Sequence, residues 1–218
     1  MTRGKYIVIE GSDGTGKTTQ MSMLRDYLAD KGLKVHITSE PADPSNNAEP
    51  LPVARELRKL IKNGDIERTP ETNLLLFTAA RVEKWRNEIE PALARGDYVL
   101  SSRNYWSTLA YQGYGEDLSI ALIMQQTELY LGGTGYIQPD AAAILSMTDE
   151  AERQARLQNR GLRETKDTFE TKDQVFQTKV AEGYLQVAHD LDIPIIDAAG
   201  TPAAVHALVS RSIEQQLQ

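Results

Sequence analysis

Gly11-Ser12-Asp13-Gly14-Thr15-Gly16-Lys17-Thr18 follows the β-branched run Tyr6-Ile7-Val8-Ile9 and precedes a segment that spaces Met21, Leu24 and Leu28 with helical periodicity. Strand, glycine-rich loop and helix, in that order, are the context that the pattern G-x-x-x-x-G-K-S/T requires. Glycines let the backbone wrap an anion with its N–H groups turned inward, and the following helix adds the positive end of its dipole. In that arrangement Lys17 reaches the β- and γ-phosphates of a nucleoside triphosphate and Thr18 ligates Mg²⁺. Gly11, Ser12, Asp13, Gly14, Thr15, Gly16 and Thr19 complete the triphosphate site. A turn that merely joined strand to helix gives no reason for Lys and Thr to follow it.

Working outward, Val35 to Thr38, Tyr98 to Leu100, Ala141 to Leu145 and Ile193 to Ile196 read as four more strands, with helical segments between them. Each is short and nearly continuous in apolar residues, the signature of a parallel sheet covered on both faces. The expected class is therefore α/β, a three-layer P-loop NTPase fold with a five-stranded parallel sheet flanked by helices. Four prolines and two asparagines between Pro41 and Pro52 predict a loop. It leads into a helix over Val53 to Ile61 that ends by Gly64. No repeat and no linker divides the chain, so residues 1–218 are expected to form a single domain.

The 218 residues are 40% hydrophobic and 25% charged, within the ordinary globular range. A formal charge of -7 argues against a nucleic acid polymer as partner, because phosphate contacts need clustered Lys and Arg. Without cysteine the chain has no disulfide, thiolate nucleophile or Cys-based zinc site. Met1 to Lys5 lacks an apolar signal, and no apolar run approaches the roughly 20 residues that cross a bilayer, so no membrane partner and a cytoplasmic setting are expected.

Phe77 and Arg81 stand four residues apart on a segment that begins Thr69-Pro70 and runs helically towards Pro91, which puts a ring and a guanidinium on one face. The plainer alternative packs Phe77 in the core beside Leu74 and Val82 and leaves Arg81 solvated. Arg103 ends the third strand, on the edge where parallel strands gather ligands. Arg153, Arg156, Arg160 and Arg163 recur at three- and four-residue spacing, which an ordinary charged helix face with Asp149 and Glu152 also explains.

Taken together, Ile9-Glu10-Gly11-Ser12-Asp13-Gly14, Ser39-Glu40-Pro41, Leu76-Phe77-Thr78-Ala79-Ala80-Arg81, Arg103 followed by Ala110-Tyr111-Gln112, and Asp167-Thr168-Phe169-Glu170 make the chain resemble the thymidylate kinases over most of its length. The resemblance implies transfer of the γ-phosphoryl group of ATP, with Mg²⁺, to thymidine monophosphate (dTMP). It places the base against Phe77 and Arg81 and the acceptor phosphate on Arg103. Pro41, Thr108, Tyr111 and Gln112 then surround the acceptor, with Tyr111 excluding a ribose 2′-hydroxyl and Asp13 approaching the sugar or the metal's waters. Read without the resemblance, Tyr111 is a core residue, Gln112 a solvated one and Asp13 a turn residue. The arginine series resembles the family's lid, about 153–170. Because Thr15 stands where one branch of the family has a basic residue, Arg156 and Arg160 are expected to join Lys17 and Arg103 as the catalytic charges. A homodimer formed through helix packing is also implied.

The pattern breaks at two strand ends, where Ser102 and Ser146 replace the aspartates usual in the family. Glu10, Asp13 or Glu170 acting through waters would compensate, since Mg²⁺ needs few protein carboxylates. Two rival readings follow: a related kinase retuned for another acceptor, and a nucleotide-binding regulator with weakened catalysis.

Overall fold

The computed structural model describes residues 2–42, 51–159, 168–169 and 172–218. Five strands, β1 (Tyr6–Gly11), β2 (Val35–Ser39), β3 (Tyr98–Ser102), β4 (Ala141–Ser146) and β5 (Ile195–Asp197), form one sheet in the order β2-β3-β1-β4-β5. All four pairings are parallel, so every carboxyl end lies on the same edge. The register aligns Ile9 with Ser102 and Gly11 with Leu145, which sets the end of β1 between those of β3 and β4. Strand order reverses about β1, and an open α/β sheet binds its ligands in the crevice at such a point.

Alternation along β1 divides the interior. Tyr6 and Val8 join one buried cluster; Ile7 and Ile9 join the other. The second is closed by α1 (Lys17–Asp30), through Met21, Leu24 and Leu28, and by α9 (Pro202–Leu217), through Val205, Val209 and Ile213. Leu24 is fully buried there, and truncation to Ala costs roughly 2 to 5 kcal/mol at such sites. The first cluster lies under α3 (Pro70–Lys84), α6 (Ile120–Leu131) and α8 (Gln174–Asp190).

Two elements differ from the sequence expectation for identifiable reasons. The helical path from Thr69 towards Pro91 is not one regular α-helix. Instead α3 widens into a π-helical turn, Trp85–Ile89, and continues as α4 (Glu90–Ala94). Pro91 sits in the first turn of α4, where a missing N–H costs little. The fifth strand begins at Ile195 rather than Ile193, because Pro194 has no N–H to donate and only its carbonyl pairs, accepting from the Ile144 N–H at 2.9 Å. Of the expected loop, residues 43–50 lie outside the described residues, and α2 begins at its last residue, spanning Pro52–Lys62 with a cap at Asn63.

Candidate functional site

Two cavities share the glycine-rich loop. One, of about 220 Å³, is lined by Asp13, Lys17 and Thr18, by Arg103, and by Phe77 and Phe169. The other, of about 370 Å³, lies against Gly14, Thr15, Gly16 and Thr19 and is walled by Arg156 and Gly200.

The loop is held by its own carbonyls. Lys17 Nζ donates to the Gly11 and Ser12 oxygens at 2.8 and 2.9 Å, and Thr15 Oγ1 donates to the Ser12 oxygen at 2.9 Å. Gly14 and Gly16 take φ of 91° and 87°, a left-handed backbone that a side chain would strain. A Cβ on Gly14 would also stand 2.9 Å from the Arg153 side chain. Arg153 belongs to α7 (Glu150–Asn159), is almost fully buried, and its Nη1 donates to the Asp13 carbonyl at 2.8 Å. It clamps the loop. Arg156, on the same helix, turns to the second cavity and donates to the Ala198 oxygen at 3.2 Å. Arg160 and Arg163, with Glu170, lie outside the described residues.

Arg103 lines the first cavity. Its φ is 79°, an unusual conformation for a non-glycine residue and of the kind found where function over-determines the backbone. Nη2 donates to Asp13 Oδ1 at 2.5 Å, and Nη1 donates to the Tyr184 hydroxyl and to Ser107 Oγ at 2.8 and 3.0 Å. Tyr184 and Ser107 in turn hold Glu10, a carboxylate fully buried at the end of β1 that also accepts the Asn104 N–H at 2.8 Å. Burial and the neighbouring Glu10 charge push the Tyr184 hydroxyl up from its ordinary pKa, so it stays protonated.

Farther along, α5 (Tyr105–Thr108), capped by Asn104, runs into a second π-helical turn, Leu109–Gly115. Thr108, Tyr111 and Gln112 all line the cavity from this stretch. Tyr111 donates its hydroxyl proton to Asp13 Oδ2 at 3.2 Å while its ring packs on Phe169, so a core residue also lines the cavity. Gln112 is buried rather than solvated, and its amide donates to Glu116 Oε2 at 3.2 Å. Phe77 meets Phe169 at 5.9 Å between ring centres. Arg81 is 2% exposed, which overturns the solvated-face alternative. Pro41 lines the same cavity.

Several wall residues carry no motif. Arg58 and Lys62 on α2 line the first cavity, but the repetitive charge of that helix does not single them out. Tyr184, 81 residues from Arg103, gave no local signal. In the second cavity the wall from Ala198 to Pro202 joins β5 to α9 and reads in sequence as a simple loop. Ser102 lines the first cavity; Ser146 lines neither.

A sequence model of the thymidylate kinase family matches residues 9–209. The chain belongs to the thymidylate kinase family. A thymidylate kinase of Synechococcus sp. (strain WH7803) is 37% identical over 97% of this chain and 96% of its own length. That of Idiomarina loihiensis is 34% identical over 98% of each chain, and that of Carboxydothermus hydrogenoformans 32% over 93% of each. No helix among the described residues is long and apolar enough to cross a membrane.

Mg²⁺ is the cation expected with the nucleotide in such a site. Among the described residues no cluster of three or more His, Asp or Glu side chains is placed to hold a metal. The hydroxyls of Thr18 and Ser102 nonetheless share the first cavity without a hydrogen bond to the described residues. They fit Mg²⁺, which keeps several waters and leans on nucleotide phosphates.

Proposed function

We propose that the protein transfers the γ-phosphoryl group of ATP to dTMP, giving ADP and thymidine diphosphate. The observation that carries this reading is the set of groups that share the first cavity: the phosphate loop with Lys17, Arg103 bonded to Asp13 of that loop, and Phe77, Arg81 and Gln112. That set suits a nucleoside monophosphate, with its phosphate on Arg103 next to the donor loop and its base on the ring, guanidinium and amide. An oxygen of the acceptor phosphate attacks the γ-phosphorus, the bond from that phosphorus to the β-γ bridging oxygen breaks, and ADP leaves with the electron pair. No covalent enzyme intermediate is needed, so positioning and charge supply the rate.

In this scheme Lys17 gives up its loop carbonyls for triphosphate oxygens, and Arg103 grips the acceptor phosphate. Thr18, with Ser102, would hold Mg²⁺, whose charge offsets that building on the phosphates. Phe77 stacks on the pyrimidine, Arg81 donates to its carbonyl, and Tyr111 with Asp13 closes the sugar's side. Arg156 serves the donor nucleotide in the second cavity with Gly14, Gly16 and Thr19, and Arg160 extends the same lid of about 153–170. The whole chain works as one cytoplasmic kinase domain, paired as a homodimer.

ADP release measured with dTMP, dUMP, dCMP, dGMP and AMP as acceptors tests the proposal. The fastest release is expected with dTMP. ATP binding without release on any acceptor would leave only the regulatory reading, and a clear preference for another nucleotide would leave the retuned kinase.

A further inference from the structure

Arg81 is an unusual recognition residue, because it is buried as one half of an ion pair. Its Nε donates to Glu40 Oε2 at 2.8 Å, and the side chains of both residues are 3% exposed. One of its amino groups, Nη2, donates to Thr108 Oγ1 at 3.0 Å and to the Asn104 carbonyl at 3.3 Å. Nη1 has no hydrogen bond among the described residues, and the residue lines the first cavity. Glu40 is fixed from two further directions. Its backbone N–H donates to the Ser102 carbonyl at 3.0 Å, and its Oε1 accepts the Tyr136 hydroxyl at 2.6 Å.

Tyr136 belongs to the segment between α6 and β4, lines neither cavity and is fully buried. Its ring lies 5.4 Å from that of Trp85, 6.0 Å from Tyr6 and 6.2 Å from Tyr105, which leaves the phenol no room to swing. Burial raises the Glu40 pKa above the usual carboxylate value, against the pull of Arg81 and the Tyr136 hydrogen bond. The ionised carboxylate therefore depends on both partners.

We propose that Tyr136 and Glu40 are positioning residues for the choice of base: the Tyr136 hydroxyl fixes the Glu40 carboxylate, which fixes Arg81 so that Nη1 faces the 4-position of the pyrimidine. A guanidinium can only donate. Held rigidly, it pairs with a 4-oxo group, as in thymine, and meets the 4-amino group of cytosine donor to donor, leaving buried polar groups unpaired. If Glu40 is loosened, Arg81 gains freedom and the penalty against the amino base shrinks. This inference rests on the reading of Arg81 as a base contact.

Steady-state kinetics of the full chain with dTMP and dCMP, for the unaltered protein and for Tyr136→Phe, Glu40→Gln and Arg81→Met, test it. Tyr136→Phe keeps the buried volume and removes one hydrogen bond. It is expected to raise the KM for dTMP about 3- to 10-fold and to lower the dTMP-over-dCMP ratio of kcat/KM by a similar factor, the size of one net hydrogen bond. The KM for ATP should stay within about twofold, since the loop does not touch this chain of contacts. Glu40→Gln should compress the ratio further, and Arg81→Met furthest. An unaltered protein with no preference for dTMP over dCMP would overturn both the base contact and the relay. Discrimination that Arg81→Met abolishes but Tyr136→Phe leaves whole overturns the relay alone, as does an equal loss on both acceptors from Tyr136→Phe, the mark of a merely structural role.

Discussion

The two halves of the site are built by opposite means. On the donor side, a contiguous run of eight residues makes the cradle from its own backbone, and Lys17 is satisfied by carbonyls five and six residues away. On the acceptor side, Glu10 from β1, Glu40 from the end of β2, Arg81 from α3, Arg103 from the end of β3, Tyr111 from a π-helical turn and Tyr184 from α8 meet across separations of up to 174 residues. Backbone geometry is fixed locally and tolerates change in the surrounding side chains. A pocket of interlocked side chains depends on the whole fold being in place, and it can be retuned one hydrogen bond at a time.

That contrast can be broken or sharpened by substitution. The largest effect is expected from Lys17→Ala, which removes the charge at the transferred phosphoryl group and should lower kcat/KM on the order of 10³-fold with every acceptor. Dependence of that loss on the acceptor's base would mean that the halves are not separate. Arg103→Lys keeps the charge but loses the fork, so kcat/KM for dTMP should fall roughly 10- to 150-fold, from about 1.5 to 3 kcal/mol for a charge-assisted bond. The KM for ATP, measured at saturating dTMP, should hardly move.

Phe77→Ala should weaken dTMP binding by about 1 to 3 kcal/mol, roughly 5- to 150-fold in KM, as expected for a stacked base. Ligand titration by calorimetry gives the same quantity without turnover. The smallest effect is assigned to Ser102→Asp, which returns a carboxylate to the end of β3. Turnover should be kept or raised by no more than about threefold, since Mg²⁺ needs few protein charges. A deep loss instead would show that a carboxylate cannot take the place of the serine hydroxyl beside the metal.

The same contrast decided what could be read before any fold was known. The cradle was legible because its pattern, strand before and helix after, is local. The strands were legible too, most plainly β1, β3 and β4, because neighbours such as Val8 and Ile9 are buried on opposite faces of a parallel sheet and read as one apolar run. What stayed hidden depends on distant encounters. Arg81 looked like a residue able to reach either ligand or solvent, and only the fold brings Glu40 to its Nε. Arg153 and Arg156 share one spacing, yet one clamps the loop and the other walls a cavity, because the loop and the β5–α9 connection approach α7 from different sides. Tyr136 sits in a segment with no periodicity, so its burial among three other rings left no trace in the sequence.

The left-handed backbone at Arg103 has a consequence for how such an enzyme can be lost. Most side chains are disfavoured there, whereas glycine and asparagine adopt that conformation readily. An exchange to either would suit the main chain better while discarding the guanidinium. Drift at this position would then favour descendants that accumulate normally in the cell, still capture a triphosphate, and pass nothing on.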